Sequence, residues 1–168
     1  QGLDTTDHWF NVGASGGLFA KLNGTVRLGY QLRQAEGGRE NFTHVNALAA
    51  LGWPVTRKIR LAGQISRDFN TIATGASVDI SSVGVRAIYA YSRKLEFDTG
   101  IAYGRNVFLG ATQAQREDTF LSADLGARFK LNEYVSLAAS YTFLHNWSSL
   151  NFADFVRQGV SFDLSSRF

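Results

Sequence analysis

The chain has no cysteine. Disulfide scaffolds, thiolate metal sites and thiol nucleophiles are therefore excluded, while the compartment is left open. It has a single proline, which suits long uninterrupted elements. It has no apolar run near the roughly 18 residues of a transmembrane helix. A membrane is not excluded by that, because barrel strands alternate and their average hydropathy looks soluble; here the mean is −0.11. Blocks of like charge are also missing. The net charge of +3 comes from basic residues scattered through polar positions, so a nucleic-acid partner is not expected. Residue 1 is Gln rather than Met: either a signal peptide has been removed or the chain is a piece of a longer protein.

What the chain does have is glycine and aromatic residues: 17 Gly, 13 Phe, 6 Tyr and 3 Trp in 168 residues. With so little proline this composition favours strands over helices. Alternation with period 2 runs through nine segments. In the last, Val156, Gln158, Val160, Phe162, Leu164, Ser166 and Phe168 oppose Arg157, Gly159, Ser161, Asp163, Ser165 and Arg167. In another, Thr119, Leu121, Ala123, Leu125, Ala127 and Phe129 oppose Ser122, Asp124, Gly126 and Arg128. Ala47–Leu51 is the segment whose composition would also permit a helix.

Short turns at Lys21–Gly24, Pro54–Lys58, Ser92–Lys94 and Lys130–Tyr134 alternate with longer polar segments at Ala35–Asn41, Asn70–Ala76, Phe108–Arg116 and Trp147–Asp154. The hairpin repeats about every 35–40 residues, as two ~12-residue strands with a turn and a loop require. The pattern predicts an all-β fold over 1–168, a single domain: a transmembrane antiparallel up-and-down β-barrel. Strands this long exceed the ~5–6 residues usual in soluble sheets. A soluble lipocalin-like barrel is the competing architecture. Bacterial single-chain barrels have an even number of strands. The favoured count is eight, with the Gly-rich segment Gly13–Gly17 left out of the wall. The alternative is the C-terminal portion of a larger barrel.

Apolar faces would then contact lipid, with membrane lipids and lipopolysaccharide as partners, and aromatic residues near strand ends would form two interfacial belts. The candidates are Trp9, Tyr103 and Trp147 toward the loops and Trp53, Tyr91, Phe129 and Phe168 toward the turns. The polar faces supply a lumen charge network of Arg27, Arg60, Arg86, Glu96, Asp98, Asp124, Arg128, Arg157 and Asp163. In an eight-stranded barrel these charges pair within a filled interior; at about 16 strands they would line water.

No catalytic set is expected. His8, His44 and His145 are the only histidines, and in His145-Asn146-Trp147-Ser148 the His and Ser would point to opposite faces of a strand. A lipid-modifying outer-membrane enzyme is thus the least favoured reading. No metal-ligand spacing occurs and no cofactor is implied. The Gly13–Gly17 stretch lacks a following helix and a P-loop Lys-Ser/Thr pair, and close strand packing or a strand bend explains it better.

A chain ending in an amphipathic strand with terminal Phe168 resembles bacterial outer-membrane proteins. There that strand is the signal read by the barrel-assembly machinery. The segments Arg116–Phe120, Lys130–Leu137, Ala139–Tyr141 and Arg157–Phe168 look like the C-terminal part of the putative β-barrel porin 2 family. Leu22–Gln31 resembles an upstream hairpin of the same family. The resemblance implies a porin-like component of envelope or polysaccharide export in the outer membrane of a Gram-negative bacterium, with export proteins as partners. Members of the family are usually longer than this chain. A structural or docking barrel with a side-chain-plugged lumen is the alternative function.

Overall fold

A computed structural model describes residues 5–35, 42–71, 77–109 and 116–167. They form nine strands: β1 Thr5–Phe19, β2 Leu22–Ala35, β3 Phe42–Pro54, β4 Ile59–Thr71, β5 Ser77–Ala90, β6 Leu95–Leu109, β7 Arg116–Lys130, β8 Val135–Ser148 and β9 Phe155–Ser166. A single 3-10 turn, Asn151–Ala153, lies between the last two. All nine belong to one antiparallel sheet in chain order, the up-and-down topology that the alternation predicts. Among the described residues β1 and β9 are not paired with each other, so both are sheet edges.

The preference for eight strands gives way to nine. The Gly-rich segment is part of β1 and stays in register with β2 from Thr5↔Ala35 down to Phe19↔Leu22. Gly13 permits this because the two strands approach closely at that point, whereas a methyl on Gly16 would meet nothing within 4 Å. A methyl group on Gly13 would lie 3.0 Å from the Val26 carbonyl oxygen and 3.4 Å from Arg27 Cβ. The register shifts once, between Gly17 and Phe19, so the segment provides close packing at Gly13 and a bulge after Gly17. The first turn is shorter than Lys21–Gly24. It occupies positions 20–21, because Asn23 and Gly24 already pair with Gly17 and Gly16. Ala47–Leu51 is strand, held between β2 and β4. Tyr91 lies just beyond β5, in the turn. The polar segments 36–41, 72–76 and 110–115, and Phe168, lie outside the described residues.

Register turns the alternation into two distinct walls. One apolar row runs Ala49, Ile65, Val83, Tyr103, Leu121, His145, Val156 across seven strands. Rows toward the turns begin at Leu51, Trp53, Ile59 and Leu95. Five such rows extend roughly 27 Å along a strand, or about 20 Å in height once strands tilt by ~40°. That is close to the apolar band of an outer-membrane barrel. Gln158 interrupts the band, and the Tyr141 hydroxyl donates to its Oε1 at 3.2 Å.

Among the described residues no second layer covers this wall. Phe69 and Val78 are the only buried apolar side chains among the described residues, while Val85, Ile101, Leu125, Val160 and Phe162 are all exposed. A contiguous apolar face of this size far exceeds the few hundred Å² tolerated on a soluble protein. Hydrocarbon is the solvent that suits it.

Candidate functional site

The opposite wall carries most of the charges. Its central row is Ala62, Arg86, Gly100, Asp124, Thr142, Gly159. One row nearer the turns come Arg60, Ile88, Asp98, Gly126, Ser140 and Ser161. Small residues alternate with charged ones across strands, and the small ones make room. A methyl on Gly100 would sit 2.6 Å from Asp124 Oδ1, and one on Gly126 would collide with the Asp98 carboxylate.

Within that space Arg86 bridges two acids. Its Nη1 donates to Asp98 Oδ2 at 3.0 Å and its Nη2 to Asp124 Oδ1 at 2.8 Å. Toward the turns, Arg60 Nη2 donates to Glu96 Oε2 at 3.2 Å, and Arg128 Nη1 lies 3.9 Å from Glu96 Oε1. Six of the nine expected network residues thus form two clusters, Asp98–Arg86–Asp124 and Arg60–Glu96–Arg128. The other three do not join them. Among the described residues Arg27 and Arg157 have no ion-pair partner, and Asp163 only accepts a long 3.5 Å hydrogen bond from Ser161. The three clustered arginine side chains are about half exposed.

The aromatic candidates separate. Trp53, Tyr103, Phe129 and Trp147 stand on the apolar wall, in the rows of Leu61, Val83, Leu137 and Thr119 respectively. Trp9 stands on the polar wall instead, in register with Gln31. Its neighbour Phe10, in register with Tyr30, holds the outward position. The reason is parity: one step along a strand changes the face. His145 lies on the apolar wall, its ring 3.9 Å from that of Trp147. Ser148 faces the other way, where its hydroxyl donates to Asp118 at 2.5 Å.

Sequence reasoning missed three polar clusters at the loop end. Asp118 is buried and collects hydrogen bonds from Arg116 (2.9 and 2.5 Å), Asn146 (3.2 Å) and Ser148 (2.5 Å). Asn146 also donates to the Ala153 carbonyl at 3.3 Å, tying the 3-10 turn to the sheet. Arg116 lies over the Phe108 ring at 4.5 Å. On the apolar wall, Arg67 pairs with Asp79 at 2.6 Å and Arg105 pairs with Glu117. These two pairs and Arg86–Asp98 each span 12 positions. That recurring hairpin offset was the available signal.

A one-layer antiparallel sheet with an apolar outer wall, a charged inner wall and aromatic residues at both ends of the apolar band defines the class: the wall of a bacterial outer-membrane β-barrel. The chain belongs to the Putative beta-barrel porin 2 family, whose profile matches residues 1–168. Solved structures agree on the fold. In-vitro folded OmpT, an outer membrane protein of Vibrio cholerae, superposes with a TM-score of 0.56 at 13% identity, over 83% of this chain and 46% of that one. Its loop L8 deletion mutant gives 0.58 at 12% identity, over 94% and 52%. The chain therefore spans about half the length of these proteins. No curated protein matches it in sequence.

Proposed function

We propose that this sheet is part of the wall of a water-filled pore and that it is not an enzyme. The observation that carries the reading is the mismatch between the sheet and any small closed barrel. Nine antiparallel strands leave β1 and β9 running in the same direction. Closing such a wall with antiparallel pairs takes an odd number of further strands. Every backbone group in a bilayer must be satisfied, so an open edge is not viable there. The solved neighbours, about twice as long, support a large barrel. At about 16 strands the interior holds water, and half-exposed arginines and carboxylates are suited to lining it.

The finer reading, a porin-like component of envelope or polysaccharide export, follows from the family resemblance and is part of the proposal. So are its partners: membrane lipids and lipopolysaccharide on the apolar wall, the barrel-assembly machinery at β9, and export proteins. The plugged docking barrel is the competing function. Planar-bilayer conductance separates them. Discrete open-channel steps from the complete protein are the expected result, and a silent membrane with correctly folded protein would defeat the pore. Folding itself is checked by heat-modifiable gel migration; identical migration with and without boiling would remove the barrel assignment.

A further inference from the structure

The chain has four lysines, Lys21, Lys58, Lys94 and Lys130. Each lies at a different one of the four short turns. Three of the four turns are built alike. Thr56 Oγ1 accepts from the backbone N–H groups of Lys58 and Ile59 at 3.1 and 3.0 Å. Ser92 Oγ accepts from those of Lys94 and Leu95 at 3.2 and 3.0 Å. Asn132 Oδ1 does the same for Tyr134 and Val135, both at 2.8 Å. Side-chain oxygens thus fix the turn backbone and hold Lys58 and Lys94 at equivalent places.

Parity decides which wall these cations extend. Lys130 is in register with Ser136, and Ser136 with Ser165, all on the polar wall. The Lys130 N–H donates to the Lys94 carbonyl at 2.8 Å, and the Ala90 N–H to the Lys58 carbonyl at 2.8 Å. Lys94 and Lys58 therefore continue polar-wall rows. Two of the ammonium groups donate to neutral carbonyls: Lys58 Nζ to that of Tyr91 at 3.2 Å and Lys94 Nζ to that of Leu131 at 3.5 Å. Among the described residues no lysine has a carboxylate partner. At one side of this rim Arg93, Lys94, Lys130 and Arg167, with Glu133 as the sole acid, border a groove of about 750 Å³ that reaches Ser136 and Ser165. At the loop end, by contrast, Arg67, Arg105 and Arg116 are each matched to an acid.

We propose that the turn end of the polar wall is an electrostatic entrance for a polyanionic solute, an oligomer carrying repeated carboxylate, sulfate or phosphate groups. This deepens the pore reading and rests on it. Adjacent turns are two strands apart, so the cations recur at roughly 10 Å. That is about one Debye length at physiological salt, so their fields add up into a continuous positive rim. A single anion would meet one site; a flexible polyanion would meet several at once. An anionic lipid surface fits less well, because Lys94 and Lys130 continue the polar wall and not the lipid-facing one.

The test uses the complete protein, inserted in one orientation in a planar bilayer, with low-mass dextran sulfate as probe and neutral dextran as control. Dextran sulfate is expected to block from the turn side at about tenfold lower concentration than from the loop side, with the difference shrinking as salt rises. The triple change Lys58→Gln, Lys94→Gln, Lys130→Gln should abolish the asymmetry, while Lys→Arg at the same positions should keep it. Equal block from both sides, or an asymmetry untouched by the Gln changes, overturns the proposal. If the protein folds but conducts nothing, the pore reading fails instead. Fluorescence anisotropy of labelled dextran sulfate with the detergent-solubilised protein then decides the rim. Salt-sensitive binding lost in the triple variant supports it, and no binding overturns it.

Discussion

The Asp98 carboxylate occupies the space that Gly126 leaves on the neighbouring strand. Without a side chain at 126 the acid lies flat against β7 and still reaches Arg86 at 3.0 Å. Gly126→Ala should therefore push the Asp98 carboxylate aside and weaken that contact, at about 1 kcal/mol or less for a part-exposed ion pair. Gly52→Ala provides the control, since nothing lies within 4 Å of its added methyl. Urea titration of folding into lipid vesicles should show a small loss for the first and little change or a slight gain for the second.

Among the described residues Arg86 is the only cation bridging Asp98 and Asp124. Replacing it by Gln leaves two carboxylates on the polar wall with no counter-charge between them. In a conducting barrel Arg86→Gln should raise cation over anion permeability, read as a shift in reversal potential under a salt gradient. Asp98→Asn with Asp124→Asn should shift it the opposite way. Equal reversal potentials in all three proteins would take this cluster off the permeation path.

Asp118 gathers the loop end. Asp118→Ala would strip hydrogen-bond partners from Arg116, Asn146 and Ser148, and a buried unsatisfied group costs about 1–3 kcal/mol. The Asn146 link to Ala153 should loosen with it. Faster hydrogen exchange across 149–154, with the β5–β6 hairpin unchanged, is the expected result.

Face assignment can be tested with one charge on either side of the sheet. Val85→Arg puts a guanidinium on the apolar wall, where Val85 sits in register with Gly63 and Ile101. The expected loss is about 2–4 kcal/mol near the bilayer midplane. Gln64→Arg, in register with Gly84, puts the same charge on the polar wall and should fold almost as well as the parent. Comparable losses in vesicle folding assays would overturn the lipid-facing assignment.

Much of the wall is written into the sequence because a strand has a period of two. Val83, Val85, Leu125, Val160 and Phe162 declare their face by position alone, and turns with Thr56, Ser92 and Asn132 mark where the chain reverses. The glycine-rich second half of β1 is harder to read. Gly13 there meets Arg27 and the Val26 carbonyl across the strand pair, a contact that exists only once the two strands are aligned. Trp9 shows the limit of reading aromatic residues by proximity to a strand end, since a single step of parity moves it to the polar wall.

By itself, then, the sequence determined the strands, their alternation into an oily and a charged face, and the outer-membrane class. These depend on local periodicity and on composition. The tertiary structure decided what depends on register: nine paired strands and not eight, Arg86 shared by Asp98 and Asp124 while Arg27 and Arg157 stand apart, and Asp118 buried under Asn146 and Ser148. Cross-strand neighbours lie tens of residues apart in the chain yet only about 5 Å apart in the sheet, so their pairing emerges only when the strands align.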